Sequence, residues 1–169
     1  IFEANMYLTE LGALTCYNNV PELGRMGINR FFPTYPLGIW PCKNGWLGVT
    51  VLSPAQWHAF CKLLGLQDLA AIERYGSSAK RLEDVDIIEP RILEALANHC
   101  AEDLFYKGQK MRIPLARVPT MAEVFGVDQY IHRKAFSTIT DGEFSFKAPS
   151  QPVRLFDTTP KFGGKVADL

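Results

Sequence analysis

The sequence predicts an α+β domain, on three observations. Two Gly-containing turn signals, Asn44-Gly45 and Asp141-Gly142, each sit between short strand-like runs. Amphipathic helical stretches with capping signals separate those hairpins. No regular β-α-β alternation appears, so helices and strands are expected to segregate rather than wind a parallel sheet.

In chain order, residues 1–17 place Phe2, Met6, Leu8, Leu11, Leu14 and Tyr17 on a helical stripe, ended by Asn18-Asn19-Val20-Pro21. Residues 24–38 are irregular, broken by Gly24, Gly27, Pro33, Pro36 and Gly38, and hold Arg25, Arg30, Phe31, Phe32 and Tyr35. Ile39–Lys43 and Trp46–Val51 flank Asn44-Gly45, which suits a two-residue type I′ turn. Ser53-Pro54-Ala55-Gln56 is a capping box with proline at the first helical position, opening a helix that stops at Gly65. A short helix is expected over Asp68–Tyr75, broken by Gly76-Ser77-Ser78.

A longer helix is expected over Asp86–Cys100, with Pro90 in its first turn and Ile92, Leu93, Leu96 and Cys100 as its buried stripe. Ala101–Lys107 reads as helix ended by Gly108. Prolines 114 and 119 keep Ile113–Pro119 extended. Thr120-Met121-Ala122-Glu123 is a second capping box, with helical residues again over Asp128–Lys134. The second hairpin follows, then an extended return segment carrying Pro149, Pro152 and Pro160.

Composition narrows the function. The 169 residues are 47% hydrophobic, enough for a core. Eighteen basic and eighteen acidic residues cancel, so no bulk attraction to nucleic acid or an anionic membrane follows. No apolar run reaches the ~20 residues of a membrane span. The chain starts at Ile1 without a signal-peptide pattern and reads as an internal piece of something longer, or a processed product.

Cys16, Cys42, Cys61 and Cys100 stand singly, and His58, His99 and His132 make no H-x-x-x-H. Close ligand pairs for zinc are therefore missing, and reduced, mostly buried thiols are expected. That usage fits the cytoplasm. Phe162-Gly163-Gly164-Lys165 fails as a phosphate loop, because Thr159 stands where glycine is needed and Val166 replaces the hydroxyl residue. No G-x-S-x-G elbow offers a serine nucleophile. Glu73, Glu83, Asp84 and Asp86 read as solvated charge. For Trp40, Trp46 and Trp57, a hairpin and a helix face favour core packing over a ligand platform.

Several segments in order resemble one family. Tyr35-Pro36-Leu37-Gly38-Ile39-Trp40-Pro41-Cys42-Lys43-Asn44-Gly45-Trp46 resembles the strand-turn-strand of family III CoA-transferases, the CaiB/BaiF type. Gln56-Trp57 with Leu64-Gly65-Leu66 resembles that family's next helix, and Arg81 stands where the family has an arginine before a long helix. Ile113-Pro114 through Val118-Pro119-Thr120-Met121-Ala122-Glu123, Asp128-Gln129 through Arg133 and Phe136, and Pro152-Val153-Arg154 through Thr159-Pro160 resemble its later segments.

The resemblance implies a large Rossmann-type domain, a smaller α+β domain and two chains interlocked as rings. Residues 1–37 would be a large-domain helix and connecting loop. Residues 38–125 would be the small α+β domain, with antiparallel hairpins and packed helices. Residues 126–169 would be a helix, hairpin and return segment toward the large domain. The implied reaction moves CoA from an acyl-CoA to a carboxylic acid acceptor through an aspartyl intermediate. Its aspartate falls outside this chain, so no catalytic residue and no metal site is assigned here, and the segment alone is expected to be inactive. Coenzyme A enters as substrate; no cofactor is implied.

One departure is visible. The formyl-CoA transferase subgroup has a glycine-rich loop before the first strand, whereas Asn29–Tyr35 is rich in aromatics and carries Pro33. This argues against oxalate or formate and for a stiffer, more apolar pocket wall. Asn29, Arg30 and Tyr35 are the expected substrate-binding residues, with Arg30 pairing either with an acceptor carboxylate or with an acid on the protein surface. An α-methylacyl-CoA racemase-like enzyme, which shares the fold, and a stand-alone binding or assembly module are the alternatives.

Overall fold

The computed structural model describes residues 26–150, together with 157 and 158. The helix expected over residues 1–17 and most of the return segment lie outside the described residues. The chain divides into two compact units, Ile1–Val118 and Pro119–Leu169.

Among its described residues, the first unit holds a three-stranded antiparallel sheet covered on one face by helices. β1 (Leu37–Pro41), β2 (Trp46–Thr50) and β3 (Leu115–Val118) lie in that order, with Trp40 opposite Leu47 and Val49 opposite Leu115. The helices are α1 (Pro54–Leu64), α2 (Gln67–Ala70), α3 (Ser78–Glu83), α4 (Val85–Ala97) and α5 (Ala101–Lys110), with a 3-10 turn at Glu73–Gly76. Period-two alternation sends Trp40, Leu47, Val49 and Leu115 inward, where they meet Trp57 and Phe60 of α1, Ile88, Ile92 and Leu96 of α4 and Leu104 of α5. The fold is thus α+β with antiparallel strands.

Local signals that need only neighbouring residues are realised as expected. Ser53 Oγ accepts from the Gln56 N–H at 3.2 Å, and Gln56 Oε1 accepts from the Ser53 N–H at 3.0 Å. Gly65 closes α1 in the left-handed region at φ 76°. Trp40 and Trp57 are core residues, whereas Trp46 is half exposed on the outer sheet face.

Other expectations are corrected. The β1–β2 connection is the four residues 42–45, with Pro41 paired to Trp46 and only Gly45 at positive φ, not a two-residue type I′ turn. Here Lys43 donates its N–H to His99 O at 2.9 Å and Asn44 bridges Cys100, so a distant segment sets the turn. The helix expected over 68–75 breaks into α2 and the 3-10 turn. Ser77 precedes a new helix, α3, because Arg81 and Leu82 bury there. Helix α4 runs Val85–Ala97 and buries Val85, Ile88, Ile92 and Leu96; Leu93 is exposed and Cys100 lies beyond its end. Pro90 falls in its second turn, on the solvent face, where water can satisfy the carbonyl left without a donor. Gly108 does not end α5 but lies buried inside it, where any Cβ would collide with Leu115.

The second unit holds α6 (Met121–Val124), α7 (Asp128–His132) and the antiparallel hairpin β4 (Phe136–Asp141) with β5 (Phe144–Pro149). Its turn is Gly142-Glu143, one residue later than expected, with Gly142 at φ 57°. The Thr120–Glu123 capping box forms in both directions. Phe125, Tyr130 and Phe136 pack edge to face.

Candidate functional site

The three expected binding residues lie on the segment that leads into β1, and each is held by a different element: Asn29 by β1, Arg30 by α4 and Tyr35 by α3. Asn29 has φ 59°, a conformation that asparagine tolerates better than most side chains. That geometry lays its amide along the strand: Nδ2 donates to Ile39 O at 2.6 Å, and Oδ1 accepts from the Ile39 N–H at 3.0 Å. The amide imitates a neighbouring strand, and Gly38 leaves the space it occupies.

Arg30 reaches the first turns of α4. Its Nη2 donates to Glu89 Oε2 at 2.8 Å and Asp86 Oδ1 at 2.9 Å. The Glu89 bond is the main cause of its raised pKa. The two acids differ, because the Glu89 side chain is 16% exposed and that of Asp86 is 84% exposed. Glu89 is a fixed anchor, and Asp86 is held mostly by solvent.

Tyr35 is fully buried, its ring edge-on to Trp40 at 6.4 Å. Burial pushes its phenol upward, with Glu89 adding and Arg30 opposing. Its backbone carries more of the architecture than its ring. The N–H donates to Ser78 Oγ at 2.7 Å, and the carbonyl accepts from Ser78 Oγ and from Arg81 Nε. All three residues are thus engaged by groups of this chain.

In the sequence only the family resemblance points to Arg81, and the structure gives it a physical role. It is fully buried, and among the described residues no carboxylate forms a salt bridge with it. Its guanidinium donates to the carbonyls of Tyr35 (2.7 Å), Tyr75 (2.5 Å) and Val51 (3.2 Å) and lies 4.9 Å from the Trp57 ring centre. Burial lowers its pKa to about 10, so it stays charged at neutral pH.

Around this framework the loop exposes Ile28, Phe31 and Phe32, and the outer sheet face exposes Ile39 and Trp46. In the second unit, a cavity of about 350 Å³ is lined by Phe125, Tyr130, Phe136, Lys134 and Lys147 among others. The Lys147 ammonium stands 5.7 Å from the Phe125 ring centre. Among the described residues no group of His, Cys, Asp and Glu is placed to hold a metal, and no helix is long and apolar enough to cross a membrane.

Comparison with known proteins decides the family, since the match to CoA-transferase family III spans residues 1–165. The chain belongs to CoA-transferase family III. A relative within reach of sequence alignment is the probable CoA-transferase Rv1866 of Mycobacterium tuberculosis, 27% identical over 109 residues, which are 64% of this chain and 13% of that protein. The fold is shared with the crystal structure of Rv3272 from M. tuberculosis, at a TM-score of 0.71 and 16% identity, over 91% of this chain and 39% of the other. A CaiB/BaiF family protein from Brucella suis matches at a TM-score of 0.69 and 20% identity, over 86% of this chain and 37% of its own. This family III chain therefore spans well under half of the relatives it matches.

Proposed function

We propose that this chain is part of an enzyme that moves CoA from an acyl-CoA thioester to a carboxylic acid. The family match over residues 1–165 carries the reading. In the proposed reaction an aspartate outside this chain attacks the thioester carbonyl, and CoA thiolate leaves a mixed anhydride. The thiolate then attacks the aspartyl carbonyl, releasing the donor acid and leaving an aspartyl-CoA thioester. The acceptor carboxylate reverses the sequence and departs as the new thioester.

Within that reaction, the loop of residues 26–35 is proposed as a wall of the acceptor pocket. Arg30 is its charged contact, anchored by Glu89 and able to exchange the solvent-held Asp86 for a substrate carboxylate. Asn29 and Tyr35 hold the loop that presents it, and Phe31 and Phe32 offer apolar surface to an acyl chain. The reading also implies an interlocked homodimer, in which the uncharged outer sheet face around Ile39 and Trp46 would be covered.

The test uses the full-length protein that carries this chain, incubated with acyl-CoA and a panel of carboxylic acids. Thioester exchange is followed by mass spectrometry. Exchange by the full-length protein and none by the isolated chain is the expected result. No exchange with any acid overturns the transferase reading, and turnover by the isolated chain overturns the placement of the nucleophile outside it.

A further inference from the structure

The cysteines that stand singly in the sequence are not all single in space. The β1–β2 connection lies against the corner between α4 and α5, where Lys43 N–H meets His99 O at 2.9 Å and Asn44 bridges Cys100. Cys42 precedes Lys43, and Cys100 follows His99. One hydrogen bond and the two peptide planes it joins therefore separate their α-carbons, a separation of the order that disulfides span, roughly 4.4–6.8 Å. The two thiols also act on each other electrostatically: ionised Cys100 adds to the burial that pushes Cys42 up to about 11.

Their environments are unequal. Cys100 is the N-cap of the ten-residue α5, where serine, threonine or aspartate is the usual occupant. As a thiol it makes no capping hydrogen bond, so the N–H of Asp103, the Asn44 amide and the N–H of Glu102 are left to favour the ionised sulfur, and its pKa is lowered. Both side chains are half-buried rather than sealed. Cys61 is the internal contrast, fully buried and pushed up to about 12.

We propose that Cys100 and Cys42 form a peroxide-responsive dithiol, in which Cys100 is oxidised first and Cys42 resolves it to an intramolecular disulfide. The Cys100 thiolate attacks one oxygen of hydrogen peroxide. The O–O bond breaks, and hydroxide takes up a proton and leaves as water, giving a sulfenic acid. The Cys42 sulfur then attacks the Cys100 sulfur. Its proton goes to the departing hydroxyl, the S–O bond breaks, and a second water leaves. Two thiols lose two electrons and two protons, and one peroxide becomes two waters. The product ties the β1–β2 connection to the α4–α5 corner.

The experiment treats the folded full chain with hydrogen peroxide near neutral pH, then maps peptides without reduction, with dimedone present in a parallel sample. The expected result is a Cys42–Cys100 linked peptide, two hydrogens lighter than its parts and released by dithiothreitol. It should form about tenfold or more faster than any modification of Cys61. In Cys42→Ser the link is lost and a dimedone adduct appears on Cys100; in Cys100→Ser neither appears. The unsubstituted chain alone can refute the proposal, so it does not depend on how the variants fold. Cys100 left unmodified at peroxide levels that oxidise glutathione, Cys100 oxidised without linking to Cys42, or a disulfide made through any other cysteine each overturns it.

Discussion

Arg81 donates its Nε–H to the backbone carbonyl of Tyr35 at 2.7 Å, tying the third helix to the segment that enters the first strand. The same guanidinium reaches Val51 after β2 and Tyr75 in the 3-10 turn. These carbonyls lie just outside the strands or in a single 3-10 turn, where no sheet ladder reaches them, and a buried carbonyl without a donor is costly. One planar, multi-donor side chain thus replaces several backbone hydrogen bonds. The loop carrying Arg30 stays in place partly because the segment after it is fastened here.

Replacing Arg81 by leucine should therefore destabilise the chain by about 2 kcal/mol or more, since the Val51 and Tyr75 carbonyls lose their donor at roughly 1–3 kcal/mol each, while the Tyr35 carbonyl keeps Ser78 Oγ. Lysine, with one ammonium in place of a fork, should recover only part of that loss. Urea unfolding followed by tryptophan fluorescence measures both variants. A leucine variant within about 1 kcal/mol of the parent would show that other donors or water satisfy these carbonyls.

Gly108 and Leu115 form a second pair set by close approach. Alanine favours a helix interior over glycine by about 1 kcal/mol. Gly108→Ala should nevertheless destabilise by roughly 1–3 kcal/mol, because the added methyl meets the Leu115 side chain. Leu115→Ala should cost about 2–5 kcal/mol alone. Combined, the two should cost less than their sum by about 1 kcal/mol or more, which a double-mutant cycle in urea measures. Strict additivity would mean that the helix and strand move apart freely.

These two pairs show what the sequence could and could not disclose. The capping boxes at Ser53–Gln56 and Thr120–Glu123 were legible because donor and acceptor lie three residues apart. Gly108 looks like a stop in the sequence because glycine marks helix ends and close contacts alike, and the deciding residue, Leu115, lies on another element. Asn44-Gly45 suggests a tight turn in the sequence for the same reason, since His99 and Cys100, which draw the backbone away from it, are distant in the chain. In the candidate site, Asn29, Arg30 and Tyr35 could be picked out as polar and aromatic residues in a loop. Their partners Ile39, Glu89 and Ser78 could not, because those contacts exist only once the sheet and helices have packed.

Asp68 should titrate below its ordinary value of 3.8, because Arg91 of α4 donates to both its oxygens, at 2.5 and 3.1 Å. A carboxylate whose folded pKa is lowered contributes stability above its unfolded pKa. That contribution is lost as pH falls through the folded value. The carboxyl-carbon NMR titration of Asp68 should therefore have its midpoint below that of the unfolded chain, and Arg91→Gln should move it up. A midpoint unchanged by Arg91→Gln would mean that the ion pair is not maintained in solution.

The last prediction separates the two roles open to Arg30. If its guanidinium only fastens the loop to α4, both acids serve the same purpose, and removing either should lower stability slightly without touching substrate affinity. If it receives the acceptor, Asp86 is a competitor that occupies the guanidinium until a substrate carboxylate arrives, while Glu89 keeps the arginine in place. In the full-length enzyme, Arg30→Ala should then raise the acceptor KM by about 10- to 150-fold, the equivalent of a charge-assisted hydrogen bond lost equally from ground and transition states. Asp86→Asn, which removes the competing charge, should lower the acceptor KM by about two- to fivefold. The acyl-CoA KM should stay within about twofold in both variants. Steady-state kinetics with acceptor and acyl-CoA varied separately, alongside melting temperatures, measures all of these. An acceptor KM within about twofold of the parent in Arg30→Ala would assign Arg30 to loop anchoring alone.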